Sequence, residues 1–202
     1  MKSKETKSKA KKYHAQIIIG ILAAIFVFSY VYYVLMLNGF QGDFSKNLRL
    51  LEEANAKYNT TLYTFPLTID EDRLLLGDLD KLKSADSKEP FKLLLEFRAK
   101  LVESDIFSKE GWKYGKASTT KYGFGCKSIE RIRNSTYNRN VSAQIGFEAL
   151  DITEELIEKY PKEAQIANLD QQRLLFLNQT FSQEQKSARR DRSIVENACK
   201  KE

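Results

Sequence analysis

The chain of 202 residues carries 33 Lys and Arg against 27 Asp and Glu, a formal charge of +6, and 42% of it is hydrophobic. Three prolines and nine glycines exclude a collagen-like or low-complexity chain; two cysteines exclude a disulfide-rich miniprotein and a four-cysteine zinc site. A single histidine excludes most imidazole-based catalysis.

The positive charge is concentrated at the start. Residues 1–14, MKSKETKSKAKKYH, hold six lysines and one glutamate, while the rest of the chain is close to neutral. Nucleic-acid binding needs a basic face on a folded element, so no nucleic-acid partner is expected. Residues 17–37 follow as 21 consecutive residues without a charge. At 1.5 Å per residue such a helix is about 31 Å long, close to the hydrocarbon thickness of a bilayer. Tyr30, Tyr32 and Tyr33 crowd its C-terminal third, where aromatic rings suit a membrane interface. The run is longer than the apolar core of a signal peptide and ends without a small-residue cleavage site. The expectation is a transmembrane helix over 15–37 in a lipid bilayer. Its lysine-bearing end is held in the cytoplasm by the positive-inside preference, which puts the C-terminal domain outside. Gly20 and Ala24 form a small-xxx-small pair through which two such helices could approach as a homo-oligomer.

Residues 38–43 read as a juxtamembrane linker. Phe44, Leu48, Leu51 and Tyr58 recur at helical spacing over 44–58. The β-branched stretch 59–69, with Pro66, reads as an extended connector or a short strand. Asp70 is the expected cap of a helix over 71–83, with Leu75, Leu79 and Leu82 inward. After a turn, Ser87 is a candidate cap for a helix over about 88–114, with Pro90 in its first turn. Phe91, Leu94, Phe97, Leu101 and Val102, widened by Leu93 and Leu95, make that helix central. Gly115, Gly123 and Gly125 bracket an expected loop. Its GFGCKS string lacks the glycine spacing of a phosphate-binding loop. A long helix is expected from about 127 to Pro161, and another from about Asp170 to 187. Residues 188–202 are charged at short intervals and read as a solvated tail or final helix.

Sequons at Asn59, Asn134, Asn140 and Asn178 are glycosylation candidates; chance predicts about one from this composition. Cys126 and Cys199 are the disulfide candidates, suited to an oxidising compartment. Such a bridge would constrain the unfolded chain by about 4 kcal/mol in the entropic account. Trp112, Tyr114 and Phe124 are candidate contacts for a partner, since Trp and Tyr favour such surfaces. The carboxylates Glu52, Glu53, Asp70, Asp72, Asp78, Asp80, Glu154 and Glu155 read as solvated charge.

The fold class expected is therefore all-α: a single N-terminal transmembrane helix followed by an extracytoplasmic bundle of four to five helices. Its core would span 44–187, with 188–202 as the tail or last helix. No catalytic residue, cofactor or metal is called. The function expected is a single-pass, non-catalytic binding or scaffold module that engages another envelope protein or a surface component. The alternative is a pilin-like subunit that assembles through the N-terminal apolar helix, since Tyr13-His14-Ala15-Gln16 resembles a leader-peptidase site.

Overall fold

The computed structural model describes residues 25–31, 43–85, 88–120, 123–124, 129–169 and 171–199. The chain divides into two compact units, Met1–Asp43 and Phe44–Glu202. In the first, residues 25–31 are helical, and Phe26, Phe28 and Tyr30 are strongly exposed. Among the described residues no helix is long and apolar enough to cross a membrane. The remainder of the expected transmembrane segment, with Gly20 and Ala24, lies outside them, as do His14 and the lysine tail.

Among its described residues the second unit is all-α apart from one minimal hairpin. Its helices are α1 (residues 43–56), α2 (Ile69–Ala85), α3 (Glu89–Ser118), α4 (Ile129–Lys159), α5 (Pro161–Ile166) and α6 (Gln171–Cys199). Between α3 and α4, β1 (Thr119–Thr120) and β2 (Gly123–Phe124) pair antiparallel, with Thr119 opposite Phe124. The expected loop therefore begins later than the glycines suggest: Gly115 lies inside α3, which runs to Ser118 before the two-residue strands. The connector 59–69 forms turns and no strand.

Local chemistry sets the helix ends. α2 is capped by Thr68, two residues before the expected Asp70. Thr68 Oγ1 accepts the Glu71 N–H at 3.3 Å, and the Thr68 N–H donates to Glu71 Oε2 at 3.0 Å. This reciprocal pair is a capping box, and it leaves Asp70 in the solvated first turn. α1 and α5 both end on an asparagine in the left-handed region, Asn59 at φ 55° and Asn168 at φ 57°. The Thr60 N–H reaches back to Asn55 O, and that of Leu169 to Ala164 O, so each end is a Schellman motif. Pro161 supplies a preset φ at the start of α5.

The helices pack in an antiparallel series, α2 on α3, α3 on α4 and α4 on α6. The pairings run in opposite senses along the chain. Lys100 meets Glu148 while Ser104 meets Ser142, and Asp72 meets Lys109 while Lys83 meets Glu96. α3 is the central helix, as its apolar face predicts: Phe91, Leu94, Phe97, Leu101 and Val102 are fully or almost fully buried. Each contributes roughly 1.5–3 kcal/mol of transfer free energy. Phe44 meets Phe91 edge-on and brings α1 into the same core.

Two close approaches fix how the helices meet. Gly111 and Gly115 of α3 face Ser135 and Arg139 of α4. A Cβ on Gly111 would lie 2.6 Å from Arg139 Cγ. Gly146 of α4 faces the Phe181 ring of α6, which a Cβ would meet at about the same distance. Glycine is required at both places for contact rather than for a turn.

Residues 188–199 are not a tail. They continue α6, and Ala188 and Val195 are completely buried. Their seven-residue separation keeps them on one stripe, which the intervening arginines hide in the sequence.

Candidate partner-binding surface and buried charges

Trp112 and Tyr114 lie near the C-terminal end of α3, and both are partly exposed. Two residues apart on a helix, they leave α3 on different sides. One face of the Trp112 indole is covered by the Arg139 guanidinium, 4.3 Å from the ring centroid. The residue as a whole is 45% exposed. Phe124 pairs in the hairpin just beyond α3. Trp112 and Tyr114 thus mark the C-terminal end of α3, and Phe124 is placed by its backbone pairing alone.

Arg139 was not singled out by its sequence, yet it organises this end. Its side chain is buried; Nε donates to Glu184 at 2.9 Å and Nη1 to Asp191 at 2.7 Å, both on α6. With Trp112 stacked on its guanidinium and Gly111 against its Cγ, the Arg139 side chain ties α3, α4 and α6 together. Nη2 is buried without a hydrogen-bond partner.

A second buried arginine holds the opposite end of the α3 core. Among the described residues Arg98 has no direct carboxylate partner. Nε donates to Asn55 Oδ1 at 2.8 Å, Nη1 to Leu62 O at 3.2 Å, and Nη2 to Thr64 O at 2.8 Å. The connector 59–66 is thereby wound around a side chain of α3. Burial pulls Arg98 down to about 10, so it stays charged at neutral pH.

Beyond it lies a carboxylate pair around one lysine. Lys109 Nζ is 2.5 Å from both Asp72 Oδ2 and Asp105 Oδ2, and it also donates to Pro66 O at 2.7 Å. Asp72 is fully buried, which corrects the expectation of a solvated residue. Burial raises its carboxyl to about 6 despite the lysine, and the Asp105 charge adds to the rise. Burial also raises Asp105. Asp78, by contrast, sits in a half-exposed knot with Lys57, Lys81 and the Tyr58 hydroxyl, which hold it well below the usual carboxylate range. Among the described residues no group of three or more His, Cys, Asp or Glu could hold a metal ion.

The sequons differ sharply in setting. Asn59 is an exposed helix end, and Asn134 and Asn178 are exposed on α4 and α6. Asn140 is half-buried, and its Oδ1 is enclosed. Cys199, at the end of α6, is not a free thiol. Its candidate partner, Cys126, lies outside the described residues, so their pairing belongs with the proposals below.

No protein-family model, no curated protein and no solved structure matches this chain.

Proposed function

We propose that the chain is a single-pass membrane protein with residues 1–14 in the cytoplasm and the helical bundle outside the cell. In this reading it is a non-catalytic binding or scaffold module for another envelope protein or surface component. The observation that carries it is the uncharged run 17–37 behind a lysine-rich start. The described part of that run adds support. Residues 25–31 are helical and present Phe26, Phe28 and Tyr30 outward, a surface that is costly in water and at home in lipid. Protease added to sealed cells tests the placement: loss of the 44–202 portion supports it, and protection until lysis overturns it.

The partner surface in this proposal is the end of the bundle carrying Trp112, whose indole is backed by the Arg139 guanidinium and is nearly half exposed. A photo-crosslinker at Lys113, beside it and equally exposed, should capture a partner in intact membranes. Capture that is unchanged by Trp112→Ala would remove this surface from the proposal.

In the outside compartment, Cys126 and Cys199 would pair, tying the end of α6 to the α3–α4 turn region. Thiol alkylation before and after reduction reads this directly. Asn59, Asn134 and Asn178 are the sequons whose exposure suits a glycan; Asn140 is not. The pilin-like reading rests on the same exposed helix 25–31, covered by sister helices instead of lipid. It requires a mature chain that starts at Gln16, which mass spectrometry of the N-terminus decides.

A further inference from the structure

One flank of the α4–α6 seam carries two grooves of opposite charge. Near the C-terminal end of α4, a groove of about 370 Å³ is lined by Leu150, Glu154, Ile157 and Glu158, with Leu174 and Leu175 of α6. Toward the other end of the seam, a groove of about 450 Å³ is lined by Arg133 and Tyr137 of α4 and by Arg189 and Arg192 of α6. No cation lines the first and no carboxylate lines the second. The spacing places both on the same flank. At about 100° per residue, positions 133, 137, 144, 147, 154 and 158 fall in one stripe of α4, and 171, 175, 178, 185, 189 and 192 in one stripe of α6.

Glu154, Glu158, Arg133 and Arg189 are exposed, and none of them has an ion pair among the described residues. Arg192 pairs with Glu196 on its own helix at 2.8 Å. Tyr137 and Leu175, one at each groove, are also left strongly exposed.

Two observations name what covers this flank. The first is charge: a surface acidic at one end and basic at the other complements itself when turned end for end. The Phe147–Phe181 contact, with ring centroids 6.1 Å apart, stands close to the midpoint of both stripes. A two-fold axis crossing the seam there lays a second copy antiparallel. Arg189 then comes level with the partner's Glu154, and Arg133 lies within about one helical turn of the partner's Glu158. Tyr137 comes level with the partner's Ile157, in the apolar part of the acidic groove. The second observation is area. From 133 to 158 the seam is about 38 Å long, and two helices are about 20 Å across, so the flank offers roughly 760 Å². An interface of standard size buries about 800 Å² on each partner.

We propose that the chain pairs with a second copy of itself through this flank, as an antiparallel two-fold dimer in which each acidic groove meets the other copy's arginine groove. The pairing uses α4 and α6 alone and depends neither on the run 17–37 nor on the Trp112 surface. A glycan on Asn178, which lines the acidic groove, would block it.

Sedimentation of the full-length chain, produced without glycans and held in uncharged detergent, tests the pairing. A dimer should form at low salt and weaken as salt rises. Glu154→Arg with Glu158→Arg should raise its dissociation constant at least about tenfold, and so should Arg133→Glu with Arg189→Glu. All four side chains are exposed, so circular dichroism should be unchanged in both variants. Mixing the two variants should restore a dimer with one chain of each, which a misfolded variant could not give. Gly20→Leu, in the apolar run, should leave the dimer intact. A monomer at about 100 μM, a dimer indifferent to both double variants, a mixed pair that does not form, or growth beyond the dimer overturns the proposal. So does a dimer that is lost in Gly20→Leu.

Discussion

Arg98 and Arg139 are both almost completely buried, and each holds one end of the α3-centred bundle, but they do it with opposite chemistry. Arg98 is ringed by neutral acceptors, three of its bonds going to Asn55 and the connector backbone. Arg139 faces two carboxylates and an indole. The contrast shows which element each one secures. A connector without helix or strand has free carbonyls, and a fork of N–H donors can collect them. A helix such as α6 has most of its carbonyls engaged internally, with Ala188 O also accepting from Thr136 Oγ1, and Arg139 reaches it through the Glu184 and Asp191 side chains.

The difference has consequences for loss of each arginine. Arg98→Met should cost about 3–5 kcal/mol, because Asn55 Oδ1, Leu62 O and Thr64 O lose their donor at once. Arg139→Met should cost about 1–3 kcal/mol, since Glu184 and Asp191 remain partly open to water. Urea unfolding of the two variants sets the order, and a larger loss for Arg139→Met would break the comparison. Native-state hydrogen exchange sharpens it: the first variant should open 59–66, the second the C-terminal half of α6.

Gly146→Ala probes the α4–α6 contact from its apolar side. The new methyl meets the Phe181 ring, and about 1–3 kcal/mol of stability should be lost, seen as a fall in Tm. Gly77→Ala, where nothing stands within 4 Å, should be neutral or stabilising by up to about 1 kcal/mol in the interior of α2.

Asp72, held by Lys109 between α2 and α3, carries the pH dependence. Asp72 is raised in the fold from its ordinary 3.8 to about 6, so the folded chain holds its proton more tightly than the unfolded one. Its contribution is complete below about pH 4 and is lost as pH rises through 6, a change on the order of 1–3 kcal/mol. Below pH 4 the sign reverses, because Asp78 is depressed and its stabilisation disappears on protonation. Unfolding free energies across pH 4–7 should therefore decline with rising pH in the native chain and decline less steeply in Asp72→Asn, where the raised Asp105 remains. A flat native profile contradicts the burial assigned to Asp72.

The smallest effect expected is at the entrance of α2. Thr68→Ala removes the capping box and should cost about 1 kcal/mol, whereas Asp70→Ala should change little. Chemical denaturation of the pair separates the two.

What the sequence carried by itself is what lies within a few residues of itself. The 3–4 spacing of Phe91, Leu94, Phe97 and Leu101 marks both a helix and its buried face, because periodicity and burial are the same constraint. The Thr68–Glu71 box and the asparagines at 59 and 168 are equally local, but the expected α2 cap was Asp70 and neither asparagine was singled out as a helix end. The uncharged run 17–37 is likewise complete in one line of text.

Tertiary structure decided everything that depends on a second element. Nothing in the neighbours of Asp72 distinguishes it from the solvated Asp70; Lys109 and Asp105, more than thirty residues away, and burial beneath the connector do so. Arg98 and Arg139 look like any helix arginines until the connector and α6 arrive. Residues 188–199 read as solvated because five of the ten side chains from Lys186 to Val195 are charged. The buried stripe of Ala188 and Val195 becomes visible only against α4. Charge placed inside a protein is a property of distant neighbours, since it survives burial only where they supply hydrogen bonds and counter-charges.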